Sequence, residues 1–67
     1  MEIDPKQLKL RNQIVELLSY GFKAKDISKK IGISHRTVEG HIRNILLEGY
    51  DNTTHLVATY LRKGIIK

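Results

Sequence analysis

The sequence contains no cysteine. This absence excludes disulfide bonds, zinc sites with thiolate ligands and catalysis by a thiol. A chain of only 67 residues buries about 60% of the surface that its unfolded form exposes, so we expect modest stability unless something else supports the fold. Since disulfides are excluded, a metal or oligomerisation is the remaining kind of support, and we expect oligomerisation.

Long apolar segments are also missing. No run of apolar residues approaches the roughly 18 residues of a membrane span, and the N-terminus lacks the apolar segment of a signal peptide. We therefore expect no membrane association, a cytoplasmic location and a single domain, residues 1–67.

The sequence has none of the usual signs of an enzyme. It shows no nucleophile–base pair, no glycine-rich phosphate loop and no metal-binding cluster, so we expect neither catalysis nor a cofactor. His35 and His41 do not suggest zinc, because they fall on different faces of a helix and no cysteine or suitable carboxylate accompanies them.

Positive charge is abundant and clustered. The formal net charge is +5 with a pI near 9.8, and the segment 23–43 holds six basic residues against two acidic ones, a net +4. A basic domain with clustered charge is typical of a nucleic-acid-binding protein. For individual lysines such as Lys29 and Lys30, a merely solvated face remains the alternative.

The hydrophobic pattern predicts an all-α fold of four helices. The first is expected to begin at Asp4-Pro5, where proline suits the first helical position, and to end at Gly21, where glycine adopts a left-handed conformation. The second covers about residues 24–31. Apolar residues at helical spacing form the core-facing stripes of these two helices: Leu10, Ile14, Leu17, Leu18, Ile27 and Ile31.

The third helix, at about residues 34–47, has three distinct rows. Ser34 is a good N-cap. At 100° per residue, an apolar row of Val38, Ile42 and Ile45 lies opposite a row of Arg36, Gly40 and Arg43, and Thr37, His41 and Asn44 follow one flank. A short helix, a glycine-containing turn and a capped longer helix make the helix-turn-helix pattern, with the third helix as the DNA recognition helix.

A fourth helix is expected at about residues 54–63, capped by Thr53 or Thr54 and stopped by Gly64. Its apolar stripe consists of Leu56, Val57, Tyr60 and Leu61. This stripe is wide for a short terminal helix. Core packing explains part of it, and the rest is available to a partner.

The segment from Gly21 to Ile45, G-F-K-A-K-D-I-S-K-K-I-G-I-S-H-R-T-V-E-G-H-I-R-N-I, resembles the LuxR/GerE-type helix-turn-helix domain of bacterial transcription factors. The spacing I-S-x-x-T-V-x-x-H-x-x-N-I is the more specific part. The residues from Asn52 to Ile66 resemble the fourth helix and closing glycine of that family. The resemblance implies a response-regulator C-terminal domain or a stand-alone regulator.

Three departures from the family pattern stand out. The stretch Q-L-K-L-R at residues 7–11 replaces Leu-Thr-x-Arg-Glu, which leaves open whether the usual internal polar contacts form there. Glu48-Gly49 replaces Lys-Leu, and Thr53 replaces an arginine.

The resemblance also implies roles for residues. Base-reading positions fall at Glu39, Gly40 and Arg43, and arginine reads guanine through two hydrogen bonds. For Glu39, accepting from cytosine, repelling wrong sites and pairing with Arg36 or Arg43 are all open. For Gly40, close approach to a base edge or thymine methyl and an accident of drift are both open. For His41, a structural hydrogen bond is an alternative. The positions assigned to DNA phosphates are Lys25, Arg36, Thr37, His41 and Asn44, and those assigned to a dimer interface are Leu56, Val57, Tyr60 and Leu61.

We therefore interpret the sequence as a transcription regulator that binds double-stranded DNA sequence-specifically, with the third helix in the major groove and a homodimer formed through the fourth helix. RNA polymerase is a further candidate partner. The alternative is a helical protein-interaction module that contacts the transcription machinery without reading DNA, an interpretation that the acidic Glu39 on the reading face favours slightly.

Overall fold

A computed structural model of the chain describes residues 5–66, and in that range all regular structure is helical. The four helices are α1 (Pro5–Ser19), α2 (Ala24–Ile31), α3 (His35–Leu46) and α4 (Thr53–Arg62). The all-α, four-helix prediction is confirmed. The predicted cap at Asp4 lies outside the described residues. Within residues 5–66, the helices are too short or too polar to cross a membrane.

Helix α1 is central, because it contacts each of the other three helices. Its neighbouring residues Ile14 and Val15 are both fully buried, and each belongs to a different hydrophobic cluster. Consecutive helical residues point about 100° apart, so α1 buries two faces. The predicted stripe included Ile14 but missed Val15.

The helix-turn-helix forms as the sequence predicts. Helix α2 ends at Gly32, whose φ of +84° is a left-handed conformation, and the Gly32 N–H donates to the Ser28 carbonyl at 2.9 Å. Ser34 then caps α3, with its hydroxyl accepting from the Thr37 N–H at 3.1 Å. Ile33, in the turn between the two helices, packs against the cluster of Ile14, Ile27 and Val38.

The predicted cap of α4 was wrong. Asn52, in an extended conformation, caps the helix, and its side-chain oxygen accepts from the His55 N–H at 2.9 Å. Thr53 and Thr54 instead occupy the first turn of α4. Asparagine is among the strongest N-cap residues, because its carbonyl oxygen readily reaches the free N–H groups of the first turn.

Most of the apolar stripe of α4 packs against other residues of the same chain. Leu56 and Tyr60 are 0% and 5% exposed and form a cluster with Val15, Ile45 and Ile66, against which Val57 also packs. Leu61, by contrast, is 47% exposed.

A polar contact joins three parts of the fold. Arg11 of α1 donates through Nη2 to Glu48 Oε1 at 2.8 Å and to the Tyr60 hydroxyl at 3.4 Å. The hydrogen bond to Glu48 raises the pKa of Arg11, while burial acts in the opposite direction. Internal polar contacts therefore do form at Arg11, and their partner Glu48 belongs to the Glu48-Gly49 pair that departs from the family pattern.

Candidate nucleic-acid interface

Helix α3 presents its polar residues on the outside of the fold. Val38 and Ile45 are buried against the rest of the chain. Six of the residues predicted to contact DNA on this helix are exposed, and one, His41, is half-buried; the exposed ones are Arg36, Thr37, Glu39, Gly40, Arg43 and Asn44. Lys25, on α2, is also exposed.

The exposed residues divide into a central row and a flank. Arg36, Glu39, Gly40 and Arg43 fall within an arc of about 100° when each residue turns the helix by about 100°. We call this arc the reading face. It carries two arginines and one carboxylate, with a gap at Gly40 where no side chain projects.

The flank is turned towards α1. His41 and Asn44 line a cleft of about 200 Å³ together with Gln7, Arg11 and Ile45. Thr37 lies further along the same flank, and its hydroxyl is 2.7 Å from the Ser34 hydroxyl. The side chain of Thr37 is therefore held by the helix cap, at the N-terminal end of α3.

The carboxylate of the reading face has a partner that the sequence interpretation did not consider. Glu39 Oε1 lies 3.2 Å from His35 Nε2, one helical turn back along α3. Among residues 5–66, the structure records this contact and no ion pair between Glu39 and Arg36 or Arg43, so the arginine pairing was wrong. Base reading and repulsion of wrong sites both remain open for Glu39.

Gly40 is not required by packing within the chain. A Cβ placed on Gly40 would meet nothing within 4 Å, and its backbone does not have a positive φ. The residue nevertheless weakens the helix by roughly 1 kcal/mol relative to alanine. Packing within the chain therefore does not account for this glycine.

Replacing Gly40 with alanine should therefore separate stability from binding. We expect the free energy of unfolding to rise by about 0.5–1 kcal/mol, because alanine favours the helix and meets no steric obstacle. We also expect weaker binding to the preferred duplex, because a methyl group enters the gap in the reading face. Urea unfolding and fluorescence anisotropy measure the two effects. Unchanged affinity in the stabilised variant would show that no close approach occurs at this position.

An apolar groove, missed by the sequence interpretation, borders the reading face. It has a volume of about 510 Å³, and Leu47 on its edge is 78% exposed. Its lining includes Ala24, Ile42, Leu46, Leu47 and Tyr50 with Glu39 and Arg43. The groove depends on where the loop after α3 places Leu47 and Tyr50, and the helical periodicity of α3 does not determine this.

Comparison with known proteins gives one family. The GerE model, described as bacterial regulatory proteins of the luxR family, matches residues 11–48, which span most of α1, all of α2 and α3, and the residues just after α3. No curated protein and no solved structure matches the chain.

Proposed function

The chain belongs to the luxR family of bacterial regulatory proteins, a family of DNA-binding transcription regulators, and from this premise we propose that α3 enters the major groove of a specific duplex. The observation that carries the proposal is the reading face, where two exposed arginines flank the gap at Gly40 on a helix whose opposite side is buried. A major groove about 12 Å wide admits such a helix. We also propose that the protein acts in the cytoplasm and that residues 1–67 form one domain.

Three residues of the reading face contact bases in this proposal. Arg43 donates two hydrogen bonds to guanine O6 and N7, which is the most common specific contact between proteins and DNA. Glu39 accepts from the amino group of cytosine. Gly40 lets the helix backbone approach a base edge or a thymine methyl group.

A second set of residues contacts phosphates. Arg36 is the member of the reading face nearest the N-terminal end of α3, and Lys25 is exposed on α2. Thr37, His41 and Asn44 follow the flank of the same helix. Contacts of this kind set affinity and register but carry no sequence information.

The proposal is tested first by replacing Arg43 with alanine. A duplex selected from a random pool should lose about 1–3 kcal/mol of binding free energy, and preference at one base pair should relax. Anisotropy titrations on the selected duplex and on random duplex measure both effects. Equal losses on the two duplexes would contradict a base-reading role.

Lys25→Ala is the matched control, since it also removes an exposed positive charge. It should weaken selected and random duplexes alike and reduce the dependence of log K on log salt by about 0.9. Selection that recovers no preferred sequence would contradict sequence-specific binding itself.

We further propose a homodimer through α4. Of the predicted interface, Leu61 is the member whose side chain is most available, since Leu56 and Tyr60 are buried inside one chain. Together with the small core of a 67-residue domain, an exposed leucine on the terminal helix supports contact with a second copy. Two copies would then read a site with approximate two-fold symmetry.

One observation favours a protein partner as a second candidate function. The apolar groove with the exposed Leu47 lies at the edge of the reading face and suits an apolar side chain from a protein such as RNA polymerase. Binding to DNA through several phosphates weakens steeply with salt. An interaction that buries apolar surface in this groove should depend on salt much less, so a salt titration distinguishes the two functions.

A further inference from the structure

The carboxylate of Glu39 needs an explanation, because the proposed interface brings the reading face close to DNA phosphates. Like charges repel more strongly as water is excluded between them. Glu39 is 59% exposed in the free protein, and its Oε1 lies 3.2 Å from Nε2 of His35, itself 51% exposed. His35 has no role in the function proposed above.

The position of His35 determines which way Glu39 is drawn. Around the helix axis, His35 lies about 40° to one side of Glu39, and Arg43 lies about 40° to the other side. Both are one turn away, so each can pair with the same carboxylate. A Glu39 side chain turned towards Arg43 would occupy the guanidinium that the proposed function assigns to guanine.

We propose that His35 is a specificity-determining positioning residue, which holds the Glu39 carboxylate on its own side of the helix. In this arrangement Arg43 stays free to read guanine, and Glu39 has a fixed orientation from which to accept a hydrogen bond from cytosine. The inference rests on the proposed function, since it concerns the same reading face.

The effect should be confined to the complex with DNA. An electrostatic contact between exposed side chains contributes little in water. When the duplex excludes water from the reading face, the same contact becomes stronger because the local dielectric constant falls. Loss of His35 should therefore leave the stability of the free protein nearly unchanged and alter the choice of bases.

The test is a double-mutant cycle with His35→Ala, Glu39→Gln and the double variant. Each is titrated against the selected duplex and against duplexes changed at single base pairs of the site. We expect Glu39→Gln to lower discrimination at one base pair roughly tenfold. His35→Ala should lower discrimination at the same base pair to a similar degree. The double variant should lose no more discrimination than either single variant. His35→Gln, which keeps a side-chain donor, should restore most of the discrimination.

His55→Ala is the control, because His55 also lies near an acidic residue four positions away, with its Nδ1 3.9 Å from Asp51 Oδ2 and accepting from the Asp51 N–H at 3.1 Å, but is on α4, outside the proposed DNA interface. It should leave base discrimination unchanged. If His35→Ala lowers the midpoint of urea unfolding, the comparison is made instead with His35→Gln at wild-type stability. Loss of base discrimination in His35→Gln then counts against the positioning role.

Unchanged discrimination in His35→Ala, or losses that add in the double variant, would overturn the inference. Failure of the proposed function is recognised separately. If wild-type protein selects no sequence, base reading as a whole is refuted. If Arg43→Ala relaxes base preference while His35→Ala does not, the proposed function stands and the role of His35 is refuted.

Discussion

Replacing Leu56 with alanine should lower the free energy of unfolding by about 2–5 kcal/mol. Leu56 is fully buried among Val15, Ile45 and Tyr60, so the substitution removes apolar contacts and leaves a cavity that rigid neighbours fill only in part. A domain of this length has a total stability of roughly 3–10 kcal/mol. The loss is therefore a large share of the whole, and urea unfolding followed by circular dichroism measures it.

Leu61→Ala is the control, with the same chemical change on the same helix. Because Leu61 is 47% exposed, we expect a change of about 0.5 kcal/mol or less. Equal destabilisation by the two substitutions would contradict the division of α4 into a buried and an exposed side.

Replacing Leu61 with glutamate should abolish the gain in affinity that a duplex with two half-sites has over a duplex with one. If two copies contact each other through α4, a duplex with two half-sites binds wild-type protein roughly 10²–10⁴ times more tightly than a duplex with one. A negative charge at the exposed position should bring the two affinities close together while each copy still folds and reads its half-site. Titration of both duplexes and sedimentation of the protein–DNA complex measure the change.

Tyr20→Glu supplies the control, since Tyr20 is an exposed apolar residue just beyond the end of α1. It should leave the paired-site advantage intact. An unchanged advantage in Leu61→Glu would refute the placement of the interface. A charge at Tyr60 cannot answer the same question, because Tyr60 is buried and accepts a hydrogen bond from Arg11, so the substitution would damage the fold itself.

Local signals explain which parts of the fold were predictable. The bounds of α2, the Ser34 cap and the glycine after α2 depend on residues within one or two turns of each other, and all were predicted from the sequence. The contact between Arg11 and Glu48 joins residues 37 positions apart, and no periodicity relates them. At the start of α4, three adjacent polar residues are each able to cap, and the loop conformation selects Asn52.

The candidate site was predictable to a similar extent: the buried and exposed sides of α3 were predicted, but not the contacts between its side chains. Periodicity placed Val38 and Ile45 inside and Arg36 and Arg43 outside, because a helix packed on one side must bury its apolar row. The partner of Glu39 was not predictable, since several basic side chains of α3 are within reach and the choice depends on side-chain rotamers. Its observed partner, His35, lies four residues back.

The two buried faces of α1 have a consequence for cooperativity. Ile14 packs with the helix-turn-helix and Val15 with the cluster of α4, and one peptide bond joins these two residues. A local opening that released either cluster would expose one side of the same helix and loosen its hold on the other. We therefore expect the two clusters to unfold together. If a second copy binds at α4, the binding should also stabilise the helix-turn-helix.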